Sequence, residues 1–282
     1  MRLLRTSIIP LLLLAMLAMV MRLSAEPVPV RHLEGVTFGF LVLRNTQGEI
    51  LAHGELRQVV KPNDPIIMSD LTFRFRDGSS YREITKFTQK GVFRLVSDQV
   101  TQKGPAFKQD SESWIDARSG KITVRTAEKS KDKDDKGKDK DKDKDKDKYK
   151  SITKHLDLPN DLANGLLFTI AKNLNPSIET ELSFVAASDK PRIVKFQIRP
   201  GPEKDVEWGG RNYKAQHYIV HVKVPGAPGV VASVLGKEPP DVHLWILKSE
   251  APTFIEFEGQ LSQDTPVWRI ELAAPEPDSS KK

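Results

Sequence analysis

The chain has 282 residues, of which 38% are hydrophobic and 29% charged, and it contains no cysteine. This apolar content is too high for a wholly disordered chain and too low for a polytopic membrane protein, and the length suits one large domain or two small ones. The lack of cysteine excludes disulfides, a cysteine nucleophile and the lipid-bearing cysteine of a bacterial lipoprotein.

The formal net charge of +6 does not come from the body of the chain. Residues 1–25 carry three arginines and no acid, and residues 129–150 contain 11 lysines and 8 aspartates. The rest of the chain balances 30 basic against 30 acidic side chains. Because nucleic-acid binding requires basic residues clustered on a folded face, this neutral body argues against a nucleic-acid partner.

Residues 1–25 have the organisation of a secretory signal peptide. A basic start, Met1–Arg5, precedes the apolar run Ile8–Val20, and small residues end the segment at Ala25. A membrane-spanning helix needs about 20 apolar residues, so this short run favours cleavage after Ala25 over an uncleaved anchor. We therefore predict a periplasmic or secreted protein with no transmembrane segment after signal removal.

Most of residues 26–273 alternate between apolar and polar positions, as half-buried strands do. Leu71, Phe73 and Phe75 alternate with polar residues, and Asp77-Gly78 follows as a turn signal. Comparable strands are predicted at residues 36–44, 50–60, 91–98, 113–115, 121–126, 151–158, 181–186, 194–199, 217–222, 242–247, 253–258 and 267–272. One-sided burial of this kind predicts an antiparallel sheet over a single core.

One segment departs from this period. Leu162, Leu166, Ile170 and Leu174 recur at every fourth position, which predicts an amphipathic helix of about 14 residues that begins near Asn160 or Asp161 and ends at Asn175-Pro176. The predicted fold is therefore mainly β. A strongly curved antiparallel sheet or an open barrel packs on one helix, in a single domain over residues 26–273.

Two polar segments lack the residues to form a core. Lysine and aspartate alternate through residues 129–150, and residues 274–282 form a polar tail. Both are predicted to be disordered, and the first would be an expanded turn between the strands at 121–126 and 151–158. A weak tether for divalent cations or polyanions is the alternative, although a lysine flanks every aspartate and competes with a cation for it.

The sequence contains no G-x-S-x-G, H-E-x-x-H or phosphate-binding glycine loop, so neither an enzyme nor a cofactor is predicted. His217 and His221 resemble a metal-binding pair. In a strand, however, they would lie about 13 Å apart, too far to share one ion. A neighbouring residue such as His243 could pair with one of them, and no metal is predicted.

Two further groups could carry chemistry. Glu256 and Glu258 would point the same way about 7 Å apart along a strand, which suits an inverting glycoside hydrolase or simply a solvated strand face. Lys237, Asp241, His243 and Trp245 follow a rigid Gly-Pro-Pro corner and could form the rim of a binding site. The alternative is a turn in which Asp241 binds nearby backbone amides.

The segments Ser113–Gly120 and Gly259–Leu272, taken with this layout, resemble exported bacterial β-proteins of unknown function. The overall plan is similar to that of the LolA-like periplasmic lipoprotein carriers, in which a half-open barrel closes over a helix. The resemblance implies an apolar groove between sheet and helix, lined by Phe73, Phe196, Leu166 and Ile170.

Three functions follow, in decreasing order of preference. The first is a non-enzymatic envelope protein that binds an apolar ligand, a lipid-like chain or a polypeptide. The second is a structural scaffold that assembles with other envelope proteins. The third is a glycan hydrolase that uses Glu256 and Glu258. The sequence does not define the ligand, the oligomeric state or whether the sheet closes.

Overall fold

The computed structural model describes residues 26–127, 149–224, 239–262 and 265–273. The predicted signal peptide, the tract up to residue 148, Lys237 and the C-terminal tail lie outside the described residues. Within the described ranges, no helix is long and apolar enough to cross a membrane.

The described chain is built almost entirely from strands. They are β1 (Thr37–Arg44), β2 (Ile50–Val60), β3 (Ile66–Phe75), β4 (Ser80–Thr88), β5 (Arg94–Lys103), β6 (Ser111–Asp116), β7 (Lys121–Ala127), β8 (Tyr149–His155), β9 (Thr180–Ala186), β10 (Arg192–Pro200), β11 (Lys204–Trp208), β12 (Arg211–Lys223), β13 (Val242–Leu247), β14 (Thr253–Gly259) and β15 (Trp268–Leu272). A short helix, α1 (Leu167–Ala171), lies between β8 and β9.

All of these strands join one antiparallel sheet. Its order is β8-β7-β6-β5-β4-β3-β2-β1-β15-β14-β13-β12-β10-β9, and β11 pairs with β12 beside this path. The two end strands, β8 and β9, do not pair with each other, yet Lys154 of β8 donates a hydrogen bond of 3.0 Å to the carbonyl of Pro191, just before β10. The sheet is therefore strongly curved and open, which confirms the predicted fold class.

Alternating burial explains this curvature. In β3, Ile67, Ser69, Leu71, Phe73 and Phe75 are buried and the intervening residues are more accessible. The inward residues of β1 to β7, β9, β10 and β12 to β15 join one apolar core, so a single interior holds the sheet around itself. The predicted one-sided burial is confirmed.

The chain between β8 and β9 covers the gap that the open sheet leaves. The Ala163 amide donates to the Ser183 carbonyl at 2.9 Å, and the Asn164 side chain bonds both backbone groups of Val185. These bonds satisfy the free edge of β9, as a neighbouring strand would. Asp161, buried below, accepts a 2.8 Å hydrogen bond from the Ser183 hydroxyl.

The predicted helix of about 14 residues is wrong in length. Leu162, Leu166, Ile170 and Leu174 are all buried, as their spacing predicted, but the helix covers only Leu167–Ala171. Gly165 has a left-handed backbone (φ 66°), and the residues before it bind the edge of β9. Tertiary pairing thus outweighs helical propensity in this segment.

The strands on either side of the Lys/Asp tract form a hairpin. β7 and β8 pair antiparallel, with Ala127 opposite Tyr149. Because β8 begins at Tyr149, the last two residues assigned to the disordered tract belong to a strand. The hairpin itself is as the sequence predicted.

Candidate functional site

A small cavity lies between the inner face of the sheet and α1. Its volume is about 50 Å³, room for one or two water molecules. It is lined by Glu34, Thr37, Leu56, Gln58, Ser69, Leu71, Glu83, Thr85, Gly165, Phe168, Thr169, Lys172 and Phe254. More than half of these residues are polar, whereas most of the buried residues in the described chain are apolar.

The polar lining follows one row across the sheet. Thr37, Gln58, Ser69, Thr85 and Asp98 oppose one another in turn on β1 to β5. All but Thr37 are buried. Inward polar residues contradict the binary pattern of a strand, and such exceptions concentrate at sites with a function beyond folding.

An ion pair closes one side of the cavity. Lys172, at the end of α1, lies 2.6 Å from Glu34, and Gln58 donates a further 2.8 Å hydrogen bond to Glu34. The Asn173 side-chain oxygen accepts hydrogen bonds from the backbone amides of Arg31 and His32. These bonds fix the position of the segment that carries Glu34. The N-terminal segment and the helix are therefore held to the same side of the cavity.

Two carboxyl groups lie on the other side: Glu83 lines the cavity, Asp98 lies opposite Thr85 on β5, and neither forms an ion pair with a described residue. Burial raises the pKa of Glu83 to about 8, with the charge of Asp98 adding to the effect, and burial raises the pKa of Asp98 to about 7. The Thr85 hydroxyl donates to Asp98 at 2.9 Å, and the Tyr81 hydroxyl donates to Glu83. We call Glu83 and Asp98 the acid pair.

Residues 161–174, which we call the covering segment, approach the acid pair most closely at Gly165. A Cβ at this position would overlap the Thr85 hydroxyl oxygen and lie 2.7 Å from Asp98 Oδ1. Its positive φ also disfavours any residue with a side chain. The backbone of the segment thus seals the interior directly above Thr85 and Asp98.

The four predicted groove residues do not border this cavity. Phe73, Leu166 and Ile170 are fully buried in the packed core. Phe196 is half-buried and stacks on Phe184, with ring centres 3.8 Å apart. The structure does not join these four in one open groove, and their role as ligand contacts stays a prediction.

Three of the four predicted rim residues meet on the outer face of β12 and β13. His243 Nδ1 lies 3.0 Å from His217 Nε2, and Asp241 lies 2.8 Å from His221. The Trp245 ring stacks on His217, with centres 4.6 Å apart. The prediction that His243 could pair with one of the two histidines is confirmed, and the partner is His217.

These contacts leave the outer face without a metal-binding cluster. Among the described residues, no group of three or more histidines and acids is arranged to hold an ion. Burial, with additional repulsion from His243 and Lys204, lowers the pKa of His217, so the ring is neutral at pH 7. A single hydrogen bond between the two rings accounts for the close approach of His217 and His243.

Glu256 and Glu258 are both engaged in ion pairs. Arg269 lies 3.0 Å from Glu258 and 3.8 Å from Glu256, and Lys204 lies 2.8 Å from Glu256. These cations stabilise the ionised carboxylates, whereas the acid of a glycoside hydrolase must carry a proton. The arrangement suits a structural network better than a pair with distinct acid and base roles.

The sequence contained a signal for the acid pair that the predictions missed. In β4, Tyr81 and Phe87 point inward, so Glu83 and Thr85, which share their parity, must point inward as well. A strand with apolar ends and polar centre on one face indicates a buried polar site.

Comparisons with known proteins give one similar structure. No protein-family model matches the sequence, and no curated protein matches it. The solved structure is a beta-barrel-like protein of the domain of unknown function DUF1849 from Brucella abortus. It shares 9% identity with this chain at a TM-score of 0.42, over 86% of this chain and 98% of the other.

Proposed function

We propose that the protein is a non-enzymatic scaffold of the bacterial envelope that binds another protein through an apolar strip on its outer surface. The strip consists of Leu33, Val36, Phe38 and Phe40, which are 76%, 77%, 53% and 60% exposed. The observation that carries the proposal is this exposed strip beside a filled interior. A cavity of about 50 Å³ has no room for a lipid chain.

The strip arises from the strand geometry of β1. Leu41 and Leu43 point into the core, whereas Phe38 and Phe40 point outward and contact each other edge to face, with ring centres 4.8 Å apart. Neighbouring exposed aromatic residues are unusual on a protein without a partner, because contact between an apolar surface and water is unfavourable.

Charged residues border the strip and indicate the chemistry of its partner. Arg57 and Glu55 of β2 lie directly opposite Phe38 and Phe40. An apolar centre with charges of both signs on its rim is the usual composition of a protein–protein interface. The partner would present apolar side chains at its centre and a rim of opposite charges.

Photo-crosslinking in living cells tests the proposal. A photoreactive phenylalanine analogue at position 40 should yield a discrete adduct with a second envelope protein, and Phe38→Ser should remove that adduct. The matched control places the same analogue at Trp114, which is 49% exposed on β6. Equal adducts at both positions, no adduct, or an adduct of the chain with itself would each contradict the proposal.

An apolar-ligand carrier is the second candidate, because the cavity lies between the sheet and α1, where the LolA-like layout would place a ligand. This function requires the covering segment to move, since ligand pockets usually exceed about 300 Å³. Native mass spectrometry of the protein purified from the periplasm would reveal a co-purified lipid. Consistently ligand-free protein would count against a carrier, and a bound lipid would favour it over the scaffold.

A further inference from the structure

We infer that the acid pair is a proton-controlled latch: while Glu83 and Asp98 are protonated, residues 161–174 stay closed over the interior, and loss of the protons opens that segment. The inference does not depend on the proposed partner. The cavity beside the acid pair is lined by Glu34 and Thr37, which are sequence neighbours of the apolar strip.

Ionising Glu83 and Asp98 in the closed state costs free energy. Asp98 is 3% exposed, and the hydrogen bonds to the pair come from the neutral hydroxyls of Thr85 and Tyr81. Lys172 borders the same cavity, but it is paired with Glu34. Glu83 is partly accessible along the cavity and Asp98 is enclosed, so two ionised carboxylates side by side without a cation of their own are unfavourable and protonation favours the closed state.

Among the described residues, three further titratable groups border the pair or its cavity. Tyr81 shares β4 with Glu83, and burial raises its pKa well above the ordinary value, so it stays neutral. Glu34 comes from the N-terminal segment and Lys172 from the end of α1, and these two neutralise each other. Gly165 of the covering segment contributes only backbone.

The stability of the closed state should decrease as the pH rises. The pKa values of about 8 and about 7 in the closed state exceed those of exposed carboxyls, near 4. The closed state therefore binds more protons than the open state between these values. Its stability is full below pH 4, decreases as the pH rises, and reaches its minimum once both groups have ionised above pH 8.

Residues 161–174 should open more readily than the strands around the acid pair. Strands β1 to β5 form continuous antiparallel ladders around the acid pair, and separating any two breaks many hydrogen bonds. The covering segment contains a helix of only five residues and forms no strand ladder with the sheet beyond the single bridge of Leu162 to Ser183. Its polar ties run from Asp161, Ala163 and Asn164 to β9, and from Lys172 and Asn173 to the N-terminal segment. Local unfolding occurs most readily in the element that is held by the fewest backbone hydrogen bonds, and here that element is the covering segment.

Hydrogen exchange at single amides tests the latch. The amides of Ala163, Leu166 and Ile170 are all hydrogen-bonded in the closed state. After correction for the intrinsic exchange rate, their protection factors should fall by at least about tenfold between pH 6 and pH 8.5, since one pKa unit corresponds to a tenfold change in equilibrium. Amides of the central strands should keep their protection.

Variants separate the latch from a general effect of pH. Asp98→Asn and Glu83→Gln should each reduce the pH dependence at these three amides. Asp70→Asn, which alters an acid paired with Arg82 away from the cavity, should leave it unchanged. A flat profile in the unmodified protein, an undiminished profile in both interior variants, or an equal loss of protection in the strands would each overturn the inference.

Discussion

The protein holds two pairs of acidic side chains, and their surroundings are opposite. Glu256 and Glu258 lie on the outer face of β14, where Arg269 and Lys204 neutralise them. Glu83 and Asp98 face the interior, where, within the described part of the chain, they accept hydrogen bonds from the hydroxyls of Tyr81 and Thr85 and the Gly165 backbone packs against Asp98. Cations pair with both carboxylates of the outer pair, whereas burial raises the pKa values of the inner pair to about 8 and about 7, close to physiological pH.

This difference shows that position decides the chemistry of a carboxyl group more than its spacing in the sequence. Both pairs sit on alternating strand positions or on adjacent strands. A cation beside the outer pair replaces the stabilisation that water would provide, whereas the inner pair has lost water and gained no cation. The sensitivity of the protein to pH should therefore reside in the interior.

The largest expected effect comes from the contact that seals the inner pair. Gly165→Ala should lower the free energy of unfolding by about 3 kcal/mol, because it combines a left-handed backbone with overlap at Thr85. Urea denaturation measures the loss. Gly48→Ala is the matched control, since Gly48 has φ 88° but open space around it, and its loss should be about 1 kcal/mol.

Equal losses for the two glycine variants would show that backbone strain alone acts at position 165. The close approach of the covering segment to Asp98 would then have no energetic consequence, and the contrast between the interior and the outer face would weaken.

The second effect is a gain in stability. Asp98→Asn should raise the free energy of unfolding at pH 8.5 by about 2 kcal/mol, because the amide keeps the Thr85 hydrogen bond and removes the buried charge. At pH 5 the carboxyl of Asp98 is protonated in the folded protein, so the gain should be much smaller. Thermal unfolding at both pH values measures the difference, and an equal effect at both would contradict it.

The sequence predicted the strands of the sheet well, but it did not predict the length of the helix or the polar row in the interior. Alternation in residues such as Leu71, Phe73 and Phe75 reports directly which side is buried, because each strand carries this information locally. The length of the helix depended on the free edge of β9, which no local pattern reveals. The row from Gln58 to Asp98 exists only once the register of four strands is known.

The third effect concerns the outer pair. Arg269→Met should lower the free energy of unfolding by about 1 kcal/mol, because Glu256 keeps Lys204 while Glu258 loses its cation. The loss should shrink in 1 M NaCl, since salt screens partly exposed charges. Denaturation with and without salt measures this effect. A loss as large as that of Gly165→Ala would mean that the outer network is structurally dominant.

The smallest expected effect is at the apolar strip. The double change of Phe38→Ser and Phe40→Ser should alter the free energy of unfolding by less than about 0.5 kcal/mol, because both rings are more than half exposed. Phe73→Ala, which empties a fully buried site on β3, provides the contrast with an expected loss of about 3 to 5 kcal/mol. If the strip variant were as unstable as the core variant, Phe38 and Phe40 would be needed for folding, and their exposure would no longer argue for a partner. If Phe38→Ser alone is stable and removes the adduct formed through the photoreactive residue at position 40, binding is separated from folding, because that substitution then removes the partner and leaves the sheet intact.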